Sequence, residues 1–242
     1  MTLWQKLLNI LLPPRCIKCG KILSEKNGLC PECFNSVNFI SEPYCHKCGR
    51  PFVKEANLKF ASKQYCGNCL QQKKFLFDLQ RSAFIYDDVS KDLILDLKFR
   101  DKTISAEALA NMLYMAGKDI WEQNPDLIIP VPIHRLRLIK RRFNQSALLV
   151  KYLSLKTNIQ ADYSSLTRKR NTIPQVQLSG LTRRKNLRQA FSVKYPHNIK
   201  GKKIVLIDDV ETTGSTLHEC AKVLRKAGAE KLYSVTLARA ET

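Results

Sequence analysis

No run of about 18 or more apolar residues occurs in this 242-residue chain, so no transmembrane helix is expected. A secretory leader is missing too. Residues Met1 to Leu12 are apolar but few, with no basic leader and no small-residue cleavage site. Cytoplasmic residence is therefore the default expectation. Acids are scarce: 21 Asp and Glu stand against 41 Lys and Arg, for a net charge of +20. The scarcity is local. From Arg135 to Ile207 there are eighteen Lys or Arg and a single acid, Asp162. A solvated surface normally interleaves both signs. Basic clusters at 135–142, 168–170 and 183–188 suit pyrophosphate, a nucleotide or nucleic acid, and charge alone does not choose among them. The length allows one domain or two, with ample core.

The first segment, 1–15, is expected to be an amphipathic helix. Trp4, Leu7, Leu8, Leu11 and Leu12 share one helical face, and Pro13-Pro14 ends it. Such a face packs on the rest of the protein or, in the competing reading, touches the inner membrane face peripherally, with Lys6 opposite the apolar stripe.

Eight of the nine cysteines form four Cys-x-x-Cys pairs: Cys16/Cys19, Cys30/Cys33, Cys45/Cys48 and Cys66/Cys69. Two thiolates on a tight turn grip one zinc ion, and two such pairs complete a tetrahedron. A disulfide framework needs an oxidising compartment, which nothing else supports. Redox chemistry does not call for four copies. Cys16-Ile17-Lys18-Cys19-Gly20 parallels Cys45-His46-Lys47-Cys48-Gly49, and Cys30-Pro31-Glu32-Cys33 parallels Cys66-Gly67-Asn68-Cys69. This internal repeat argues for two successive ribbons over 16–75, each with one structural zinc. An interleaved cross-brace is the alternative. Cys220 stands alone in a predicted helix and reads as a small core residue.

Residues 76–242 alternate strands and helices. Strands are predicted at Arg81–Tyr86, Asp126–Ile129 and Lys203–Ile207, and helices at Lys91–Phe99, Ser105–Trp121, Asn144–Leu155 and Leu217–Ala227, with Gly228 as a stop. That alternation gives an α/β domain with a mostly parallel sheet flanked by helices. After the apolar run Lys203–Ile207 come Asp208-Asp209-Val210-Glu211, then Thr212-Thr213-Gly214-Ser215-Thr216. Strand, hydroxyl-rich turn and helix N-terminus make an anion site. Two carboxylates would repel a phosphate, but they suit sugar hydroxyls or a magnesium ion. A sugar phosphate fits both halves. The segment resembles the ribose-phosphate motif of type I phosphoribosyltransferases. That resemblance implies that Asp208 and Asp209 take the ribose hydroxyls of phosphoribosyl pyrophosphate, and that Thr212, Thr213, Gly214, Ser215 and Thr216 hold its 5-phosphate. Glu211 adds an unexpected negative charge inside the loop and is expected to point outward.

Pro130-Val131-Pro132 cannot continue a central strand, so the chain turns out at the carboxyl edge of the sheet, where ligands bind in open α/β folds. Pro132, Ile133, His134 and Arg135 are thereby candidates for the pyrophosphate side. The segment from Thr167 to Phe191 is too basic and too sparsely apolar for a buried element. It reads as a mobile cationic loop or as a solvated hairpin arm, with Arg168, Lys169, Arg170, Arg183 and Arg184 as candidate ligands for the leaving group. Together with Arg141-Arg142-Phe143-Asn144-Gln145, these motifs resemble the ComF family along essentially the whole length. Arg142 stands where that family usually has glycine. The resemblance implies a type I phosphoribosyltransferase-like fold after a double zinc ribbon, magnesium-bound phosphoribosyl pyrophosphate as ligand, and a role in DNA uptake during natural transformation. It also implies contacts with other competence proteins, and the basic clusters make single-stranded DNA a candidate partner. No acid or histidine other than His134 marks an acceptor pocket. A transferase of unknown acceptor and a non-turning-over binding module are therefore both open.

Overall fold

The computed structural model describes residues 13–24, 28–52, 64–72, 74–99, 103–134, 138, 143–169 and 189–240. Two knuckle units come first, built alike. An antiparallel bridge closes each, Arg15 to Ile22 and Tyr44 to Pro51. In each, a glycine N–H bonds back to the first cysteine carbonyl, Gly20 to Cys16 at 2.9 Å and Gly49 to Cys45 at 2.8 Å. Both glycines have positive φ, 79° and 69°, where a side chain is strained. The second cysteine pair of each unit sits on a short helix, α1 (Pro31–Ser36) or α2 (Gly67–Gln71). Of the helix expected over 1–15, residues 1–12 lie outside the described residues, and 13–15 are not helical, Arg15 being the bridge partner of Ile22.

The α/β part runs β1 (Leu79–Ile85), α3 (Asp88–Phe99), α4 (Thr103–Ala116), α5 (Lys118–Trp121), β2 (Leu127–Pro130), α6 (Gln145–Thr157), β3 (Gln160–Ala161), β4 (Leu166–Arg168), β5 (Phe191–Val193), β6 (Lys203–Glu211), α7 (Ser215–Lys226) and β7 (Lys231–Arg239). Five strands form one parallel sheet in the order β1-β7-β6-β2-β3. Helices cover both faces. Leu109 and Leu113 of α4 and Leu149 and Leu153 of α6 pack with Val205, Ile207 and Val235. Leu217, Cys220, Ala221 and Leu224 of α7 pack with Ile204, Leu206 and Leu232. Cys220 is fully buried, as its isolation suggested. The single helix expected over Ser105–Trp121 is two, broken at Gly117. The Trp121 ring occupies the space a Cβ there would need, at 2.9 Å. It also donates from Nε1 to the Tyr114 carbonyl at 2.8 Å. No helix among the described residues is long and apolar enough to cross a membrane.

Both ribbons dock on β1. The first adds backbone bonds, Ile40 N–H to Ala83 O and Ile85 N–H to Asn38 O, both 2.9 Å, and sets Phe39 edge-on to Phe84. The second seats its knuckle lower on the strand. The Gln80 N–H donates to Lys47 O at 2.9 Å. Arg81, which is 3% exposed, donates to His46 O at 2.9 Å, pairs with Asp119 and lies under the Tyr44 ring. A Cβ on Gly49 would meet Gln80 O at 2.6 Å. Gly49→Ala therefore combines left-handed strain with a backbone clash, and urea unfolding of the zinc-loaded chain is expected to reveal a loss of about 2–3 kcal/mol.

Asp78, just ahead of β1, ties the sheet to α7. Its Oδ2 accepts from Arg225 Nη2 at 2.7 Å and from the Leu232 N–H at 2.9 Å. Burial opposes the charge, but the Leu232 N–H and the Arg225 guanidinium outweigh it and hold the carboxyl below its ordinary range. A depressed folded pKa gives stability that is present above the unfolded value, about 3.9, and lost as pH falls through the folded one. Asp78→Asn should cost about 1–3 kcal/mol at pH 7. The gap from wild type should close below about pH 4 in paired urea melts.

Candidate functional site

The sheet opens where β2 stops. Pairing of β2 with β6 ends at Pro130 opposite Ile207, and the Val131 N–H makes a last bond to Ile207 O at 2.9 Å. β6 runs on beside β7 through Asp208, Val210 and Glu211. The strand thus extends beyond its expected end at Ile207, because β7 keeps supplying ladder partners after the proline turn has removed β2. The two acids lie within the strand, on the stretch β2 has left. From β2 the chain passes through α6 to β3, and from β6 through α7 to β7 on the other side. The crevice between the carboxyl ends of β2 and β6 is the topological switch point, the ligand position of open α/β sheets.

Short polar links fix this crevice. Asn144 caps α6, accepting from the Ser146 N–H at 3.1 Å, and its Nδ2 donates to Val131 O at 3.1 Å. The Pro-Val-Pro turn is thereby stitched to the start of α6. Ser146 Oγ donates to Asp208 Oδ1 at 3.1 Å, which also accepts from the Asp209 N–H at 3.0 Å. Asp209 Oδ1 accepts from the Val210 N–H at 2.7 Å. Both carboxylates are half-buried and pre-oriented by donors, as acceptors for hydroxyls require. Ser146 is a site residue that motif reading passed over; its placement two residues after the Asn144 cap is the signal that could have found it.

After Glu211 the chain turns through Thr212, Thr213 and Gly214 into α7. Gly214 has φ 68° and caps the helix, so Ser215 is the first helical residue. Thr213 Oγ1 and Ser215 Oγ share a bond at 2.8 Å. Thr213 is exposed, and Thr212, Gly214 and Thr216 are half-buried. The α7 N-terminus offers backbone donors and the positive end of the helix dipole to an anion held here. Glu211 does not point outward. It is 8% exposed and pairs through Oε1 with Arg239 Nη2 at 3.0 Å. The reason is register: Arg239 is its neighbour across β6 and β7. Burial raises the Glu211 carboxyl, and Arg239 and Arg50 work against that rise. The extra charge is thus neutralised beneath the loop.

Of two clefts, this loop lines the first and not the second. One, about 610 Å³, is lined by Glu211, Thr213, Gly214 and Ser215 together with Phe75, Phe77, His218 and Lys222. The other, about 700 Å³, brings Pro132, Ile133 and His134 together with Tyr163, Arg168, Lys169 and Lys194. Its far wall is the antiparallel pair β4 and β5, the stem of a hairpin at the two ends of the basic segment. Leu166 and Phe191 in that stem are buried, so the ends of the segment do form a packed element. Arg168 lies 5.3 Å over the Phe191 ring. Arg135, Arg142, Arg170, Arg183 and Arg184 lie outside the described residues.

The eight paired cysteines gather into two clusters, Cys16/Cys19/Cys30/Cys33 and Cys45/Cys48/Cys66/Cys69, with all four sulfurs of each within 4.8 Å of one another. Pairing is sequential, not interleaved. Sγ atoms stand 3.7 Å apart for Cys19–Cys30 and for Cys48–Cys66. That is too long for a disulfide and close to the roughly 3.8 Å edge of a tetrahedron with Zn–S bonds of about 2.3 Å. The Cys66 N–H donates to Cys45 Sγ at 3.3 Å. The Cys48 thiol and the knuckle backbone donate toward Cys45 and lower its thiol, while the same contact raises the Cys48 thiol. Two structural zinc ions fit these donor sets.

Residues 7–70 match the Double zinc ribbon domain and residues 144–242 the Phosphoribosyl transferase domain. Competence protein F of Haemophilus influenzae is 37% identical over 93% of this chain and 97% of its own length. DNA utilization protein YhgH of Escherichia coli K12 is 33% identical over 95% and 99%. Competence protein ComFC of Bacillus subtilis is 25% identical over 90% and 87%. With a double zinc ribbon docked on a phosphoribosyltransferase-like sheet and this identity along nearly the full length of Competence protein F, the chain belongs to the ComF family.

Proposed function

We propose that the protein binds phosphoribosyl pyrophosphate, carried in with magnesium, and acts in the uptake or use of DNA. The observation that carries this reading is the joining, at the sheet's switch point, of an oriented Asp208/Asp209 pair to a hydroxyl-rich loop at the N-terminus of α7. Asp208 and Asp209 accept the ribose hydroxyls, directly or through magnesium. Backbone N–H groups of 212–216 hold the 5-phosphate. Pro132, Ile133 and His134 shape the pyrophosphate side, and Arg168 and Lys169 offer charge to the departing pyrophosphate across the 700 Å³ cleft. Each well-placed donor to charge that develops on the leaving group contributes about 3 kcal/mol. In a transfer reaction the C1–pyrophosphate bond breaks with its electron pair going to pyrophosphate, and an acceptor nucleophile closes on C1. The role in DNA uptake or use follows the printed names of the relatives.

A second reading is a binding module without turnover. It is favoured by the lining of the larger cleft, which among the described residues holds no carboxylate to activate an acceptor; its cations suit a phosphate-bearing strand such as single-stranded DNA. Both readings require sugar-phosphate binding. Asp208→Asn with Asp209→Asn should weaken magnesium phosphoribosyl pyrophosphate by at least about thirtyfold in calorimetry, with little change in melting temperature. Unchanged affinity would remove the acid pair from the site. Pyrophosphate release, screened against bases, nucleotides and single-stranded DNA, then separates transferase from module.

A further inference from the structure

The second ribbon is bonded to the α/β part through three consecutive carbonyls of its first turn. His46 O accepts from Arg81 Nη2, Lys47 O from the Gln80 N–H, and Cys48 O from Arg239 Nη1. Arg239 then reaches the other way. Its Nη2 donates to Glu211 Oε1 at 3.0 Å, and both side chains are buried, at 9% and 8% exposure. Glu211 Oε1 lies 3.2 Å from the position a Cβ on Gly214 would take, so the carboxylate sits directly beneath the loop. A single guanidinium therefore spans from a zinc-ligand residue to the underside of residues 212–216. The first ribbon has a different seat, through Asn38 and Ile40 on Ala83 and Ile85.

We propose that Arg239 is a positioning residue for the phosphate loop, and that metal in the second ribbon, Cys45/Cys48/Cys66/Cys69, sets the order of that loop and its affinity for a phosphorylated ligand. The affinity clause rests on the sugar-phosphate reading above; the ordering clause does not. The physical reason is that a buried carboxylate is stable only while its cation is held in place. Arg239 has one fork for two partners. When the knuckle keeps its metal-bound shape, Cys48 O fixes one arm and the other arm fixes Glu211. When the knuckle opens, the guanidinium loses an acceptor, Glu211 loses its fixed partner, and the loop over it loosens.

The test uses the full chain, loaded with zinc, in four variants: Cys69→Ser for the second ribbon, Cys33→Ser for the first, Arg239→Gln and Arg239→Lys. Amide hydrogen exchange at 211–216 is read against exchange at 145–157, together with calorimetric affinity for ribose 5-phosphate. Cys69→Ser and Arg239→Gln should each speed exchange at 211–216 by about tenfold with 145–157 unchanged, and weaken ribose 5-phosphate by about tenfold. Cys33→Ser should leave the loop within about twofold of wild type, and Arg239→Lys, which keeps a cation against Glu211, should recover part of the protection. Loop exchange unchanged in Arg239→Gln, or altered equally by loss of either ribbon's metal, would overturn the proposal. Should Cys69→Ser fail to fold, the two Arg239 variants decide the positioning role, and Cys69→His, which keeps a weakened metal site, decides the metal's part. Should wild type not bind ribose 5-phosphate, the sugar-phosphate reading falls while the exchange comparison still decides the coupling.

Discussion

Stripped of metal by a strong chelator, the protein should release two zinc ions per chain, one for each thiol cluster, and lose the folded form of both ribbons. The reason lies in what the ribbons have for a core. Among the described residues of the second, the buried apolar side chains are Cys45, Cys66 and Cys69, with Cys48 and Phe52 packed against them. Three buried cysteines cannot offset the entropy of ordering the turns around them. Structural zinc in comparable small units contributes about 10–16 kcal/mol of apparent folding free energy at neutral pH. The α/β part buries both faces of its sheet, with Ile17, Leu29 and Val37 of the first ribbon adding to one of the two clusters, and it should keep its helical circular dichroism. Limited proteolysis should therefore cut at 16–72 in the chelated protein and not in the loaded one. Ribbons that stay protease-resistant without metal, or one zinc per chain instead of two, would contradict the assignment of both clusters.

A second large effect is expected from Thr213→Asp. Thr213 is exposed, so the substitution has no packing to disturb and little influence on stability. Its consequence for a bound phosphate is electrostatic. A carboxylate about 4 Å from a phosphate charge costs on the order of 4 kcal/mol at an effective dielectric near 20, which is about a thousandfold in affinity. Asp is also favourable near a helix N-terminus, so α7 should be at least as stable as before. Phosphoribosyl pyrophosphate affinity should thus collapse while the melting temperature holds or rises slightly. A variant that still binds with wild-type affinity would place the 5-phosphate elsewhere.

Much of this arrangement is legible in the sequence because it is local. The repeated Cys-x-x-Cys-Gly knuckles, the apolar run before Asp208-Asp209, the Thr-Thr-Gly-Ser-Thr turn and the Pro-Val-Pro break are all read within windows of a few residues, where turn chemistry and strand periodicity act. The rest depends on register between distant segments. Glu211 looks outward-facing in its own loop and is buried only because Arg239, 28 residues on, sits beside it across the parallel ladder. β6 continues past Ile207 for the same reason. Ser146 joins the site because the Pro-Val-Pro turn and the Asn144 cap carry α6 to the end of β6. Leu166 and Phe191 are thin apolar signals at the ends of a basic stretch, and pairing turns them into a packed stem. The seat of the second ribbon on Gln80 and Arg81 depends on backbone carbonyls, which carry no side-chain signature.

The central claim is that the switch-point crevice holds a sugar phosphate. Calorimetric titration of magnesium phosphoribosyl pyrophosphate into the zinc-loaded wild-type chain tests it most directly. Saturable binding at one site per chain, abolished by Thr213→Asp, is the predicted result. No saturable binding, or binding that Thr213→Asp leaves intact, would contradict it.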